Sequence, residues 1–79
     1  MKVFVIRRLI FHDEIDTEAP IEWVIAEDPR SALSDWRAMH EWITTLAEVV
    51  GGSDWLIANW AGPHAHGSVS AQRNLTGQP

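Results

Sequence analysis

The sequence contains no cysteine, so neither a disulfide framework nor a cysteine zinc site can stabilise this small chain. Nothing in it therefore argues for an oxidising compartment. It also lacks a long hydrophobic run. The longest, Val3 to Ile6, is far too short to span a bilayer, and Arg7 and Arg8 interrupt it before a secretory signal develops. We expect a cytoplasmic protein that does not enter a membrane.

Basic residues are scarce, with six Lys and Arg against eleven Asp and Glu, which gives a net charge of −5. Between Arg8 and Arg30 the chain has no base and carries these acids: Asp13, Glu14, Asp16, Glu18, Glu22, Glu27 and Asp28. Direct binding to nucleic acid is not expected, because that affinity derives largely from Lys and Arg on phosphates. An acidic surface instead favours a protein partner with a basic surface, although acids also serve simply to keep a small protein soluble.

The chain has 79 residues, of which 46% are hydrophobic, and this composition predicts one folded domain. Met1 to His12 is predicted to be a strand. Both of its alternate sets are apolar, so we expect a central strand covered on both faces. One helix covers only one face. The other face then needs a second layer, a folded-back tail or a second chain, which makes a homodimer one of the predicted arrangements.

The rest of the chain predicts a β-β-α-β order. After a loop from His12 to Pro20, Ile21 to Glu27 alternates as an antiparallel strand, and Asp28-Pro29 is typical of a helix start. Helical spacing continues from Arg30 to Val50, and Gly51-Gly52 ends it. Asp54 to Ala61 is the third strand.

These elements predict an α+β domain with an antiparallel sheet of three or four strands packed on one helix. The compact part is expected to span residues 1–62. Residues 63–79 are expected to form a polar C-terminal tail or an edge segment around Val69.

Catalytic motifs are missing from the sequence. His64 and His66 supply two potential metal ligands, whereas zinc needs three or four. No nucleophile elbow or phosphate-binding glycine loop is present. We therefore predict no enzyme activity, no cofactor and no metal.

Five tryptophans stand out in so short a chain. Large rings give a small domain buried area, and Trp36 is predicted to lie in the core. Trp42 falls beside the apolar stripe of the predicted helix, and Trp60 lies on the other side of its strand from Trp55. We therefore predict that Trp42 and Trp60 anchor a partner.

In its format the chain resembles the type I anti-CRISPR proteins, the small phage or mobile-element inhibitors of CRISPR surveillance complexes. The similarity covers residues 1–61. It consists of the opening strand Met1-Lys2-Val3-Phe4-Val5-Ile6 and an acidic second strand that runs into a helix through Ala26-Glu27-Asp28-Pro29-Arg30-Ser31-Ala32-Leu33. The resemblance implies binding to a Cascade-type effector at the basic surface that receives target DNA, where carboxylates occupy the positions of phosphates.

The leading hypothesis is thus a non-enzymatic inhibitor that binds a protein, in which the seven acids supply attraction and Trp42 or Trp60 supplies buried contact. Two alternatives remain open from the sequence. One is a small self-associating protein that binds a ligand or a metal at His64 and His66. The other is an antitoxin-like accessory subunit.

Overall fold

The computed structural model describes residues 1–75, which form six strands and one helix. In chain order the elements are β1 (Lys2–Ile10), β2 (Glu14–Ile15), β3 (Glu22–Ala26), α1 (Pro29–Met39), β4 (Thr45–Gly51), β5 (Trp55–Ala61) and β6 (His66–Arg73). No helix among these residues has the length and apolar character needed to cross a membrane. The α+β class is confirmed.

All strand pairs are antiparallel, and β1 is the strand that organises the sheet. One edge of β1 pairs with β6, and its other edge is shared by β3 along its first half and by β2 at its end. Strands β5 and β4 follow β6, so the order is β2-β1-β6-β5-β4. The prediction of three or four strands in the order β-β-α-β was therefore wrong, since the order is β-β-β-α-β-β-β.

The helix is about half as long as predicted, because α1 ends at Met39 and the expected second half contains β4. Its neighbouring Thr and Val residues are β-branched and favour a strand, but another feature of the segment hid it. A bulge between Glu48 and Val50 breaks the alternation of side chains, so the apolar residues fell at helical spacing by coincidence. Gly51 and Gly52 lead into the β4–β5 hairpin instead of ending a helix.

The expected tail or edge segment is also corrected, since its residues form β6, an inner strand between β1 and β5. Val69 and Ala71 are fully buried there beneath α1. Small side chains suit the middle of a sheet on which a helix packs closely, although such a polar, small-residue sequence is also typical of a flexible tail. Residues 76–79 of that prediction lie outside the described residues.

One face of the sheet packs on α1 and holds the hydrophobic core. The largest fully buried side chains are Trp36, Phe4, Ile6, Leu33 and Val69, so the prediction that Trp36 lies in the core is confirmed. No helix of residues 1–75 packs on the opposite face, which we call the open face. Its strand residues include Val5 and Arg7 of β1, Trp23 and Ile25 of β3, and Trp55 of β5.

The helix begins as the sequence predicts. Asp28 is the N-cap, its Oδ1 accepts from the Ser31 amide at 2.7 Å, and Pro29 follows. This hydrogen bond with the Ser31 backbone holds the pKa of the Asp28 carboxyl below its ordinary value of 3.8. A second contact ties the helix to β4, because the Arg30 guanidinium donates to Glu48 at 2.7 Å, which raises the pKa of Arg30.

We predict that Asp28→Ala lowers the melting temperature at neutral pH and that the deficit disappears in acid. A carboxyl whose pKa is depressed by folding stabilises the folded chain above its unfolded pKa, and this stabilisation is lost as the pH falls through the folded pKa. Melting curves of both proteins from pH 7 to about pH 2 test this, with the difference expected to shrink below about pH 4 and to disappear toward the acid end. A constant difference over that range would show that Asp28 acts without its charge.

Candidate functional site

The seven acids do not form one surface. The β1–β3 and β1–β2 registers place Lys2 beside Ala26 and Ile10 beside Glu14. Glu27 and Asp28 therefore lie near the first residues of β1, and Asp13 and Glu14 lie near its last residues. The two groups are about 26 Å apart at the usual rise per strand residue. The seven acids that the sequence assigned to one acidic partner surface are therefore not on one surface in residues 1–75.

Glu22 has its partners inside the protein. Its Oε2 accepts from Nε1 of Trp36, and its Oε1 lies 2.8 Å from Nε2 of His40. The His40 ring also packs against the Trp36 ring, with centroids 5.1 Å apart. Glu22 therefore fixes the end of α1 against β3. Its assignment to the partner surface is corrected, because the carboxylate satisfies the core tryptophan.

Trp60 is not an exposed anchor, since only 9% of it is accessible. Its Nε1 donates to the Ser68 carbonyl at 3.2 Å, and Gly67 lies so close beneath the ring that an added Cβ would stand 3.0 Å from it. Trp42 packs edge-on against Trp60 at 5.2 Å and remains 42% exposed. Trp42 is therefore partly accessible, and it lies in the turn after α1 and not on the helix where it was predicted.

Arg8 completes this aromatic cluster. Its guanidinium lies over the Trp42 ring at 5.5 Å and over the Trp60 ring at 5.9 Å, a geometry in which cation–π attraction replaces a carboxylate. The buried Nε of Arg8 has no hydrogen-bond partner within residues 1–75.

Most of the remaining acids gather at the turn between β1 and β2. We call residues 11–18 the acidic hairpin. It contains Asp13, Glu14, Asp16 and Glu18, which are exposed except for the half-exposed Asp16. None of the four forms an ion pair with another described residue. The segment had been predicted to be a plain loop, and the structure adds the short strand β2.

The tip of the acidic hairpin combines a strained backbone with an exposed ring. Phe11 and His12 have φ values of 56° and 71°, and they are the non-glycine residues with positive φ in the described part of the chain. For a bulky residue this region is costly. Phe11 is nevertheless 87% exposed, so burial of its ring does not explain the conformation.

Three hydrogen bonds hold this tip in place. His12 Nε2 lies 2.6 Å from Asn59 Oδ1 across the open face. The Asp16 amide donates to the Arg8 carbonyl at 2.9 Å, and the Glu18 amide donates to Asp16 Oδ1 at 3.0 Å. The acids and the Phe11 ring are therefore presented on a fixed backbone.

Phe11 was not predicted as a site residue, because in the sequence it continues the apolar alternation of the first strand. The signal that could have identified it is the His12-Asp13 pair that follows, since Asp and His tolerate the left-handed conformation that ends a strand in a tight turn. With that signal, the Phe11 ring would be expected to be exposed and to lie next to acidic residues.

His64 and His66 are both exposed near the start of β6. Within residues 1–75, no group of three His, Asp or Glu side chains is arranged to hold a metal ion.

Comparisons with known proteins give no match from which a function could be inferred, so the inference rests on the geometry of the structure. No family model matches the chain, and neither the curated proteins nor the solved structures contain a match.

We predict that Glu22→Ala destabilises the fold by about 1–3 kcal/mol, because the Trp36 Nε1 and the His40 ring lose their acceptor. Glu27→Ala is the matched control: it also removes one carboxylate from the same segment, but its side chain is exposed, so a change within about 0.5 kcal/mol is expected. Urea unfolding followed by tryptophan fluorescence measures both. Equal effects would mean that Glu22 is not structural.

Proposed function

We propose that this protein is a non-enzymatic inhibitor that binds another protein through its acidic hairpin. The observation that supports this most strongly is Phe11, an exposed ring on a strained and anchored backbone in a segment that carries four acids. Backbone strain that the rest of the fold maintains clusters at functional positions.

The arrangement suits recognition of a basic protein surface. Aromatic side chains on a rigid backbone are common binding anchors, since little entropy is lost when they dock. Surrounding charges of one sign speed association with an oppositely charged partner and disfavour other partners. Phe11 would enter a pocket on that partner, and the carboxylates would pair with Lys or Arg around it.

A Cascade complex is the partner that we propose to test first. The resemblance to type I anti-CRISPR proteins leads to it, and its DNA-receiving surface is the kind of basic surface that the acidic hairpin suits. The inhibitor would act in the cytoplasm of the host cell by occupying the positions of target-DNA phosphates. Its acids face the partner at one end of the molecule only, so it would block a local part of that surface.

We predict that the double variant Glu14→Lys/Glu18→Lys loses at least about tenfold in affinity for the partner, because it reverses two charges at the contact. Glu27→Lys/Asp35→Lys is the control, with the same change in net charge at exposed positions outside the hairpin. It should lose less than about threefold.

Two measurements decide this prediction. Binding of target DNA by a purified type I Cascade complex is measured with and without the inhibitor, and unchanged DNA binding would exclude Cascade. Proteins captured from the native host by immobilised wild type and by both double variants are also compared. Equal capture by all three would exclude the acidic hairpin as the contact.

A second prediction separates binding from folding at Phe11. Glycine adopts positive φ without strain, and this relief offsets the larger backbone entropy that glycine loses on folding. The Phe11 ring buries little surface, so its removal costs little stability. Phe11→Gly should therefore keep the unfolding free energy within about 1 kcal/mol. The same change should reduce partner affinity by at least about tenfold, the usual loss for an anchor. If partner affinity is unchanged, Phe11 is not the anchor.

A further inference from the structure

The strands divide their charges unequally between the two faces of the sheet. By register, the strand acids Glu14, Glu22 and Glu48 lie on the helix side, opposite Ile10, Ile6 and Ala58. On the open face the described strand residues include one charged side chain, Arg7 of β1. In a protein of net charge −5, this face is almost free of charge.

The open face is also apolar over a large area. Five of its side chains are between two-fifths and two-thirds exposed: Ile15, Trp23, Ile25, Val50 and Trp55. Since a large side chain carries on the order of 200 Å² of surface, these five leave on the order of 500 Å² of apolar area in water. That reaches the size of the largest apolar patch on typical monomers.

The small polar side chains of β6 run along the middle of this face. Ser70 lies between Arg7 and Ile57, and Gln72 lies between Val5 and Trp55. The exposed apolar side chains of β3 lie on one side of them, and those of β5 and β4 lie on the other. A two-fold contact uses the same patch on both copies, so the apolar side chains on either side of this central strand can face each other across the axis.

Arg7 and Asp13 add complementary charges to this surface. Both line one cavity of about 380 Å³ on the open face, together with Ile15, Trp55 and Ile57. Neither forms an ion pair with a described residue of its own chain. One cation and one anion thus line the same cavity, and neither has an ion-pair partner among residues 1–75.

We propose that the open face binds a second copy of this chain, with a two-fold axis through the cavity lined by Arg7 and Asp13. In a two-fold interface, if one residue contacts another across the axis, the reciprocal contact also forms. Arg7 of each protomer then contacts Asp13 of the other, so a single two-fold axis gives both charged side chains a partner of opposite charge. The two sheets pack face to face at about 10 Å, as in a β-sandwich.

The buried area matches what a dimer requires. Two copies would remove on the order of 1,000 Å² of apolar surface from water, near the lower limit for a specific interface. We therefore expect a dimer of micromolar affinity. Glu14 lies on the helix side of β2 and stays outside this interface, and the inference does not depend on the proposed function.

Sedimentation equilibrium of the full chain from about 1 to 500 μM tests the proposal, with dimer expected to predominate in the upper part of that range. Ile25→Lys places a charge on the open face at a side chain that is 63% exposed, and it should weaken dimerisation at least about tenfold. Met39→Lys is the control, with 60% exposure at the end of α1, and it should leave the dimer unchanged.

A charge exchange tests the position of the axis. Arg7→Asp and Asp13→Arg should each weaken the dimer by at least about fivefold, because each brings like charges together. Both changes in one chain should restore most of the affinity, since the reciprocal pair forms again with its signs exchanged. This rescue is informative even if a single variant folds poorly.

Three results would overturn the proposal. A wild-type monomer at the highest concentration would show that no second copy covers the face. Equal effects of Ile25→Lys and Met39→Lys would place the dimer contact elsewhere. Failure of the double variant to recover would exclude the reciprocal Arg7–Asp13 contact.

Discussion

Pairing of β1 along both of its edges is the constraint on which the rest of the structure depends. Three strands hydrogen-bond to it: β6 on one edge, β3 and β2 on the other. Phe4 and Ile6 project from it into the core beneath α1. Because β3 and β2 share one edge, β1 must run past the end of β3, and the chain turns back sharply at Phe11 to form β2. The acidic hairpin exists because β1 is longer than its neighbour.

The two faces of this sheet have different roles for physical reasons. The helix side can tolerate acids because partners are present there: Trp36 and His40 bind Glu22, and Arg30 binds Glu48. The open face has no such ion pairs among the described residues, and apart from Arg7 its strands carry apolar or neutral side chains there. A face that is apolar but uncovered is a feature of assemblies more than of isolated domains.

The proposed contacts with a partner and with a second copy use different parts of the hairpin. Phe11 and Glu14 belong to its tip and its helix side, whereas Asp13 lines the open face. The His12–Asn59 hydrogen bond joins the hairpin to that face. Dimerisation would therefore also present two acidic hairpins on one rigid body, which would strengthen binding to a partner with two basic sites.

The sequence by itself determined the first strand, the strand antiparallel to it, the start of the helix at Asp28 and the strand from Trp55, since each carries a local pattern that needs no distant contact. It also predicted that β1 is covered on both faces, and within residues 1–75 the helix covers one of them. Only the tertiary structure decided the rest. The bulge in β4 and the inner position of the small residues of β6 depend on pairing with strands that are far away along the chain. The same holds for the acids: Glu22 is structural and Asp13 exposed because of what the fold places beside them, which spacing along the chain does not reveal.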